Sequence, residues 1–201
     1  PVNIGGVTVS HASIHNFDEI DRLDVREGDT VKIKRAGDVI PQIISVEKEK
    51  RKQKSKKVIP PISCPSCDSD LIKFEGETIL RCTAGTLCPA QKVESFIHFV
   101  SRNALNIDGL GERIIALLVA NHLLKDFSDL FKLQAKELLN LEGFAEKSAN
   151  NLIESIEASK ETTLPRLIYS LGIREVGEAT AVNLAINFQN IENFMACSQE
   201  D

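Results

Sequence analysis

Residues 64–88 read CPSCDSDLIKFEGETILRCTAGTLC, a C-x2-C pair at Cys64 and Cys67 followed by a C-x5-C pair at Cys82 and Cys88. This spacing is that of a structural zinc site. Zinc prefers four deprotonated soft ligands in a tetrahedron, and Cys64-Pro65-Ser66-Cys67 is short enough to wrap two thiolates around one ion from a single turn. The second pair closes the cage. Four cysteines also allow three disulfide pairings, but the chain does not resemble a secreted one: Pro1-Val2-Asn3 lacks a leader's charged and apolar regions. With all four positions filled by protein, no position is left for an activated water, so the expected metal holds a fold rather than performing chemistry. Cys197 lies far from the set and reads as a bystander.

Working outward, 201 residues with 42% apolar content suit two or three small modules, despite the absence of Trp and a single Tyr, Tyr169. No apolar run approaches the roughly 20 residues needed to span a bilayer. The expectation is a soluble, cytoplasmic protein without a membrane partner. Net charge is −5, yet residues 48–57, KEKRKQKSKK, carry seven basic side chains and one acid. Any contact with a polyanion is therefore local. The plainer reading of that run is a solvated, flexible linker.

Upstream of the cysteines the pattern is mostly strand-like. Gly6-Val7-Thr8-Val9 reads as a short strand, Asn16 with Asp18 and Glu19 as a capped helical turn, and Gly28-Asp29 as a turn. Thr30 to Lys34 alternates with period two, placing Val31 and Ile33 on a buried face and Lys32 and Lys34 on a wet one. Ala36-Gly37-Asp38 turns the chain into a strand from Val39 to Val46, where Pro41 favours an edge or a bulge. Three such strands make half of a small barrel at best, so the domain is expected to be cut at its start.

Downstream the period becomes helical. Val93, Phe96, Ile97 and Val100 share one face, with Pro89 near the expected helix start. Three short segments then repeat at offsets of 34 and 32 residues: Ile107-Asp108-Gly109-Leu110-Gly111-Glu112, Leu141-Glu142-Gly143-Phe144-Ala145-Glu146 and Ile173-Arg174-Glu175-Val176-Gly177-Glu178. Each precedes an amphipathic pattern. The repeat is a helix-hairpin-helix signature, in which the first Gly supplies a positive φ and the second lets a helix-start N–H approach a phosphate. Such contact is blind to base sequence. Gly109, Gly111, Gly143 and Gly177 are thus candidate DNA-contact positions, with Arg113, Lys147 and Arg174 beside them. A single hairpin of this kind could equally be an ordinary helix–helix turn with a Gly cap.

These residues resemble the C-terminal half of bacterial NAD+-dependent DNA ligases. Gly6 to Asn16 is similar to that family's G-x-T-V-S-R-A-T-L-H-N stretch, with His11 where the family usually has Arg, and Arg35 to Pro41 matches its R-A-G-D-V-I-P motif. The zinc spacing, Cys88-Pro89-Ala90-Gln91, Leu141 to Phe144 and Leu171 to Arg174 match as well, in the family's order. The resemblance implies a multi-domain α+β chain: a partial OB-fold β-barrel over 1–50, a basic linker over 51–61, a four-cysteine zinc finger over 62–90, and an all-α helix-hairpin-helix domain over 91–201 with three of an expected four motifs. It further implies structural Zn2+ in this chain, and NAD+ and Mg2+ in the intact enzyme. The implied partners are nicked double-stranded DNA and an N-terminal adenylation domain in cis, in a nucleoid-associated setting of replication and repair. No K-x-D-G stands anywhere in the sequence, so the lysine that would take AMP is not in this chain, and the expectation is binding without ligation. Lys34 and Arg35 are the OB candidates for DNA contact, with Lys48, Lys50, Arg51 and Lys52 behind them.

Two other readings stay open at this point. A zinc and helix-hairpin-helix module could dock another repair factor on DNA, although the Arg35 to Pro41 stretch is superfluous to it. Alternatively, the zinc module is a protein-interaction ribbon beside a plain helical bundle, for which salt-independent failure to bind DNA would be the mark.

Overall fold

The computed structural model describes residues 1–4, 6–36 and 40–198, with the side chains of Arg35 and Ala36 outside that description. Two compact units divide the chain, Pro1–Ala84 and Gly85–Asp201.

The first unit opens with an antiparallel pair, β1 (Val2–Ile4) and β2 (Val7–Val9). The strand expected at residues 6–9 therefore has a partner that its three residues were too short to announce. Asn16 caps α1 (Phe17–Leu23), its side-chain oxygen accepting from the Glu19 amide at 2.9 Å, while Asp18 and Glu19 meet the positive end of the helix. Gly28 turns with φ +84°. Next, β3 (Val31–Ala36) and β4 (Ile40–Val46) pair antiparallel, Arg35 opposite Pro41. The register shifts at Lys32/Ile33 rather than at Pro41. The proline carbonyl is instead used by Ser13, whose amide donates to it at 2.8 Å. Val31 and Ile33 are half-buried, and Lys32 and Lys34 exposed, so the alternation holds with a shallower inner face than expected. The cause is architectural, since β3–β4 is a two-stranded sheet among the described residues. The expected turn at Gly37-Asp38 and the strand residue Val39 lie outside the described residues.

The basic run does not behave as a flexible linker. Lys48–Lys50 forms a 3-10 turn, Arg26 and Lys57 make an antiparallel bridge, and the Glu27 amide donates to the Lys56 carbonyl at 3.1 Å. Arg51 ties the run down. Its Nε and Nη2 donate to the two oxygens of Asp29 at 3.0 and 2.9 Å, and its Nη1 to Asp24 at 2.7 Å. Arg51 is thus a fastening within the unit and not an open DNA contact. The Arg51 guanidinium holds both carboxyls below their usual range. A sequence window counts charges but cannot see the acids that fold back onto them.

In the second unit Pro89 takes the first turn of α2 (Pro89–Val100), where its missing N–H costs nothing. Phe96, Phe99 and Val100 are buried, with Val93 and Ile97 packed beside them. They join α3 (Glu112–Ala120), α4 (Phe127–Leu130), α5 (Ala135–Leu138) and α6 (Glu146–Ala158) around one core that includes Ile115, Leu118, Leu130, Leu138 and Leu152. Phe99 stacks on Phe127 with ring centroids 4.2 Å apart. A smaller cluster of Ile168, Ala181 and Ala185 joins α7 (Leu164–Ser170) to α8 (Glu178–Phe188), and α9 (Ile191–Ala196) adds Phe194. The two clusters are linked by His98, whose Nε2 lies 2.7 Å from the Tyr169 carbonyl, and by Arg166, which donates to the carbonyls of Arg102 and Ala104.

Candidate metal centre and nucleic-acid interface

The ligand sulfurs of Cys64, Cys67, Cys82 and Cys88 all lie within 4.8 Å of one another, Cys67 and Cys82 at 3.5 Å. A tetrahedral ion with Zn–S bonds of about 2.3 Å sets its ligands about 3.8 Å apart, so the four fit one zinc. Local structure explains the convergence. The Asp68 amide donates to the Cys64 carbonyl and the Cys64 amide to that of Ser69, each at 2.8 Å, folding the first pair into a tight turn. Asp68 takes a positive φ to complete it. The two-residue strands β5 (Leu71–Ile72) and β6 (Arg81–Cys82) then return Cys82 to the turn, and Cys88 sits immediately before α2.

The electrostatics ask for a cation. Cys67 is lowered to about 6, first by the Ser69 hydroxyl and then by its amide. At Cys82 the Ala84 amide favours the thiolate, but burial and the neighbouring Cys67 and Cys64 sulfurs outweigh it and push the thiol up to about 12. One thiolate thus discourages the next, and a dication in their midst reverses that balance. None of the described cysteines forms a disulfide, and Cys197 is exposed and outside the cluster.

The three hairpin segments share one backbone. The first position of each is left-handed: Gly109 at φ +89°, Gly143 at +89° and Glu175 at +65°. The second is an extended N-cap, Gly111, Ala145 or Gly177, whose carbonyl accepts from the amide four residues on, at 3.0 Å for Ile115 and 2.9 Å for Ala149 and Ala181. Those acceptor-paired residues are fully buried, which fixes the roll of each helix. Glu112, Glu146 and Glu178 begin the three helices at their positive ends. So the third segment keeps the turn although its first position is not Gly, Glu175 adopting a conformation that costs a non-glycine residue about 1–2 kcal/mol.

The first two hairpins face each other. A Cβ at Gly109 would lie 3.6 Å from Leu152 Cδ1 on α6, and one at Gly143 would lie 3.6 Å from the Arg113 guanidinium on α3. Between them lies a shallow cleft lined by Asp108, Gly109, Ile114, Gly143, Phe144 and Ser148, among others. Arg113 and Gly143 are thereby brought together from separate motifs. Lys147 is exposed on the first turn of α6, and Arg174 is exposed and close to the Glu175 carboxylate at 3.6 Å, which tempers its charge. Sequence reasoning missed Ser148. Its hydroxyl accepts from the Ala145 amide and donates to the Ala145 carbonyl, both at 2.9 Å, so this N-cap N–H is already satisfied within the chain. A Ser three residues past an N-cap was the available signal.

On the other unit Lys34 is exposed along β3 opposite Gln42. The Arg35 side chain lies outside the described residues. Among the described residues, no helix is long and apolar enough to cross a membrane.

Comparison with known proteins adds three family matches. The NAD-dependent DNA ligase OB-fold domain matches residues 1–55, the NAD-dependent DNA ligase C4 zinc finger domain residues 63–90, and a helix-hairpin-helix motif residues 166–201. A DNA ligase of Saccharophagus degradans is 52% identical over 200 residues, covering 100% of this chain and 30% of that protein. A DNA ligase of Hahella chejuensis is 52% identical over 201 residues, covering 100% of this chain and 29% of that protein. The chain spans less than a third of the length of these relatives.

Proposed function

The chain belongs to the NAD-dependent DNA ligase family through its OB-fold and C4 zinc-finger domains, and from that premise we propose that it is the part of such a ligase that grips duplex DNA around a nick. The observation that carries this reading is the recurrence of one helix-hairpin-helix backbone at Gly109–Gly111, Gly143–Ala145 and Glu175–Gly177. Each turn delivers a helix N-terminus to the surface, where backbone amides and the helix dipole favour a phosphate. A docking module of another repair factor is not favoured, since both the OB-fold and the zinc-finger matches are to NAD-dependent DNA ligase.

In this account the division of labour follows the sequence expectation. The segment over 1–50 lays Lys34 and Arg35 against the duplex, residues 62–90 are held by zinc, and residues 91–201 track the backbone through Gly111, Gly177, Arg113 and Lys147. Zinc, when bound, supplies cross-linking of four thiolates and no reaction step. The nucleophilic lysine, NAD+ and Mg2+ belong to the adenylation domain of the whole enzyme, which joins a 5′-phosphate to a 3′-hydroxyl in replication and repair within the cytoplasm. This segment raises the rate by holding those ends in line, an effect that can be worth several kcal/mol. Hydroxyl-radical footprinting of the chain on a nicked duplex tests the reading: protection centred on the nick is expected, and uniform or absent protection would reject it.

A further inference from the structure

The basic run at residues 48–57 sorts itself into two sets of cations. Lys48 pairs with Asp24 at 3.5 Å, Lys50 with Glu47, Arg51 with Asp24 and Asp29, and Lys57 with Asp21 at 3.2 Å. Lys52, Lys54 and Lys56 are exposed and have no acidic partner among the described residues. They are also not on a loose tether. Arg51 anchors the segment at one end through the Asp29 carboxylate, whose side chain is 1% exposed, and the Arg26–Lys57 bridge anchors it at the other. Between the anchors the Ser55 amide donates to the Lys52 carbonyl at 3.1 Å, closing a turn.

We propose that Lys52, Lys54 and Lys56 form a preorganised phosphate-binding ridge on the first unit, a DNA contact additional to the OB face and the hairpins. The inference rests on the DNA-gripping reading above and deepens it. Charge is spent on internal pairs at four positions of the run and left open at three, and the Arg51 pairs together with the Arg26–Lys57 backbone bridge fix the backbone that presents the three. Three lysines on a fixed backbone lose less freedom on meeting a phosphate ladder than three on a coil, so they bind backbone of any sequence with a defined stoichiometry.

The test compares two charge-matched triple variants of the chain, K52A/K54A/K56A and K48A/K50A/K57A, on a nicked duplex across a salt series. Each removes three positive charges. The second removes lysines whose side chains are exposed, while Asp24 keeps Arg26 and Arg51 and Glu47 keeps Lys32 as partners, and hydrogen exchange at the Glu27 and Ser55 amides verifies that the segment stays folded in both variants. Each phosphate neutralised contributes about 0.9 to the slope of log K against log salt. The ridge variant is expected to lose up to about 2.7 of slope, so that a fourfold rise in salt weakens the parent roughly 40-fold more than it weakens the variant. The paired-lysine variant is expected to keep most of the parental slope. Equal losses in both variants would reduce the effect to net charge and overturn the ridge, as would no loss in either. A parent that itself fails to bind duplex would overturn the DNA-gripping reading and the ridge with it.

Discussion

Gly109→Ala isolates the feature on which the hairpin argument depends, a left-handed residue ahead of a helix start. Gly109 sits at φ +89°, and an added Cβ would meet Leu152 Cδ1 at 3.6 Å, an ordinary van der Waals contact. The overpacking term of about 1–3 kcal/mol that accompanies crowded substitutions is therefore absent. What remains is the left-handed penalty of about 1–2 kcal/mol, partly offset by the reduced freedom of the unfolded chain, for a net loss of about 1 kcal/mol. Two comparisons bracket it. Leu118→Ala empties a site that is 0% exposed and is expected to cost about 3–4 kcal/mol. Gly109→Asn, with a side chain tolerant of the left-handed region, is expected to cost less than Ala. Urea unfolding of the zinc-loaded chain, followed by helical circular dichroism, reads the series: about 1 kcal/mol shifts the midpoint by roughly 0.5 M at an m of about 2 kcal/mol/M. A Gly109→Ala midpoint equal to the parent's, or as low as that of Leu118→Ala, would refute the reasoning, because the turn would then be either relaxed or held by contacts the structure does not show.

Removing zinc with a chelator, or substituting Cys67→Ser, is expected to unfold residues 62–90, which hydrogen exchange reads as lost protection at the Cys64 and Asp68 amides; unchanged protection would mean the metal is dispensable. Gly111→Val should fold normally, since nothing lies within 4 Å of an added Cβ and its φ is negative, yet should weaken DNA binding alike on all sequences; equal affinity would remove the first hairpin from the interface. Asp129 is lowered to about 2 by the Lys125 amide, the Lys132 ammonium and the Asp126 amide, so its contribution is full above its ordinary value of 3.8 and is lost as pH falls toward 2. Asp129→Asn should therefore flatten the acid limb of the stability curve in that window, and a limb identical to the parent's would show that Asp129 does not supply it.

Features governed by local chemistry were legible in the sequence: the cysteine spacing, the Asn16 cap, Pro89 at the start of α2, and the period-two and helical faces. The hairpin repeat was legible too, including its third copy with Glu175 in place of the first Gly, because hydrophobic spacing and the following helix fix the turn even where Glu175 must bear the strain. Features that depend on distant partners were not legible. The pairing of β1 with β2 needed a register, the approach of Arg113 to Gly143 needed two motifs to meet, and the fastening of the basic run needed Asp24 and Asp29, which stand 27 and 22 residues before Arg51. Ser148 lies between these cases: its position was visible, but its use of the Ala145 amide shows only once the helix start is built.

The central claim, that this chain grips nicked duplex through its phosphates, is tested most directly by equilibrium binding of the zinc-loaded chain to a nicked duplex across a salt series. The account predicts that log K falls linearly with log salt, by about 0.9 for each phosphate engaged, with a slope of several units. Binding that is absent, or that is independent of salt, would contradict it.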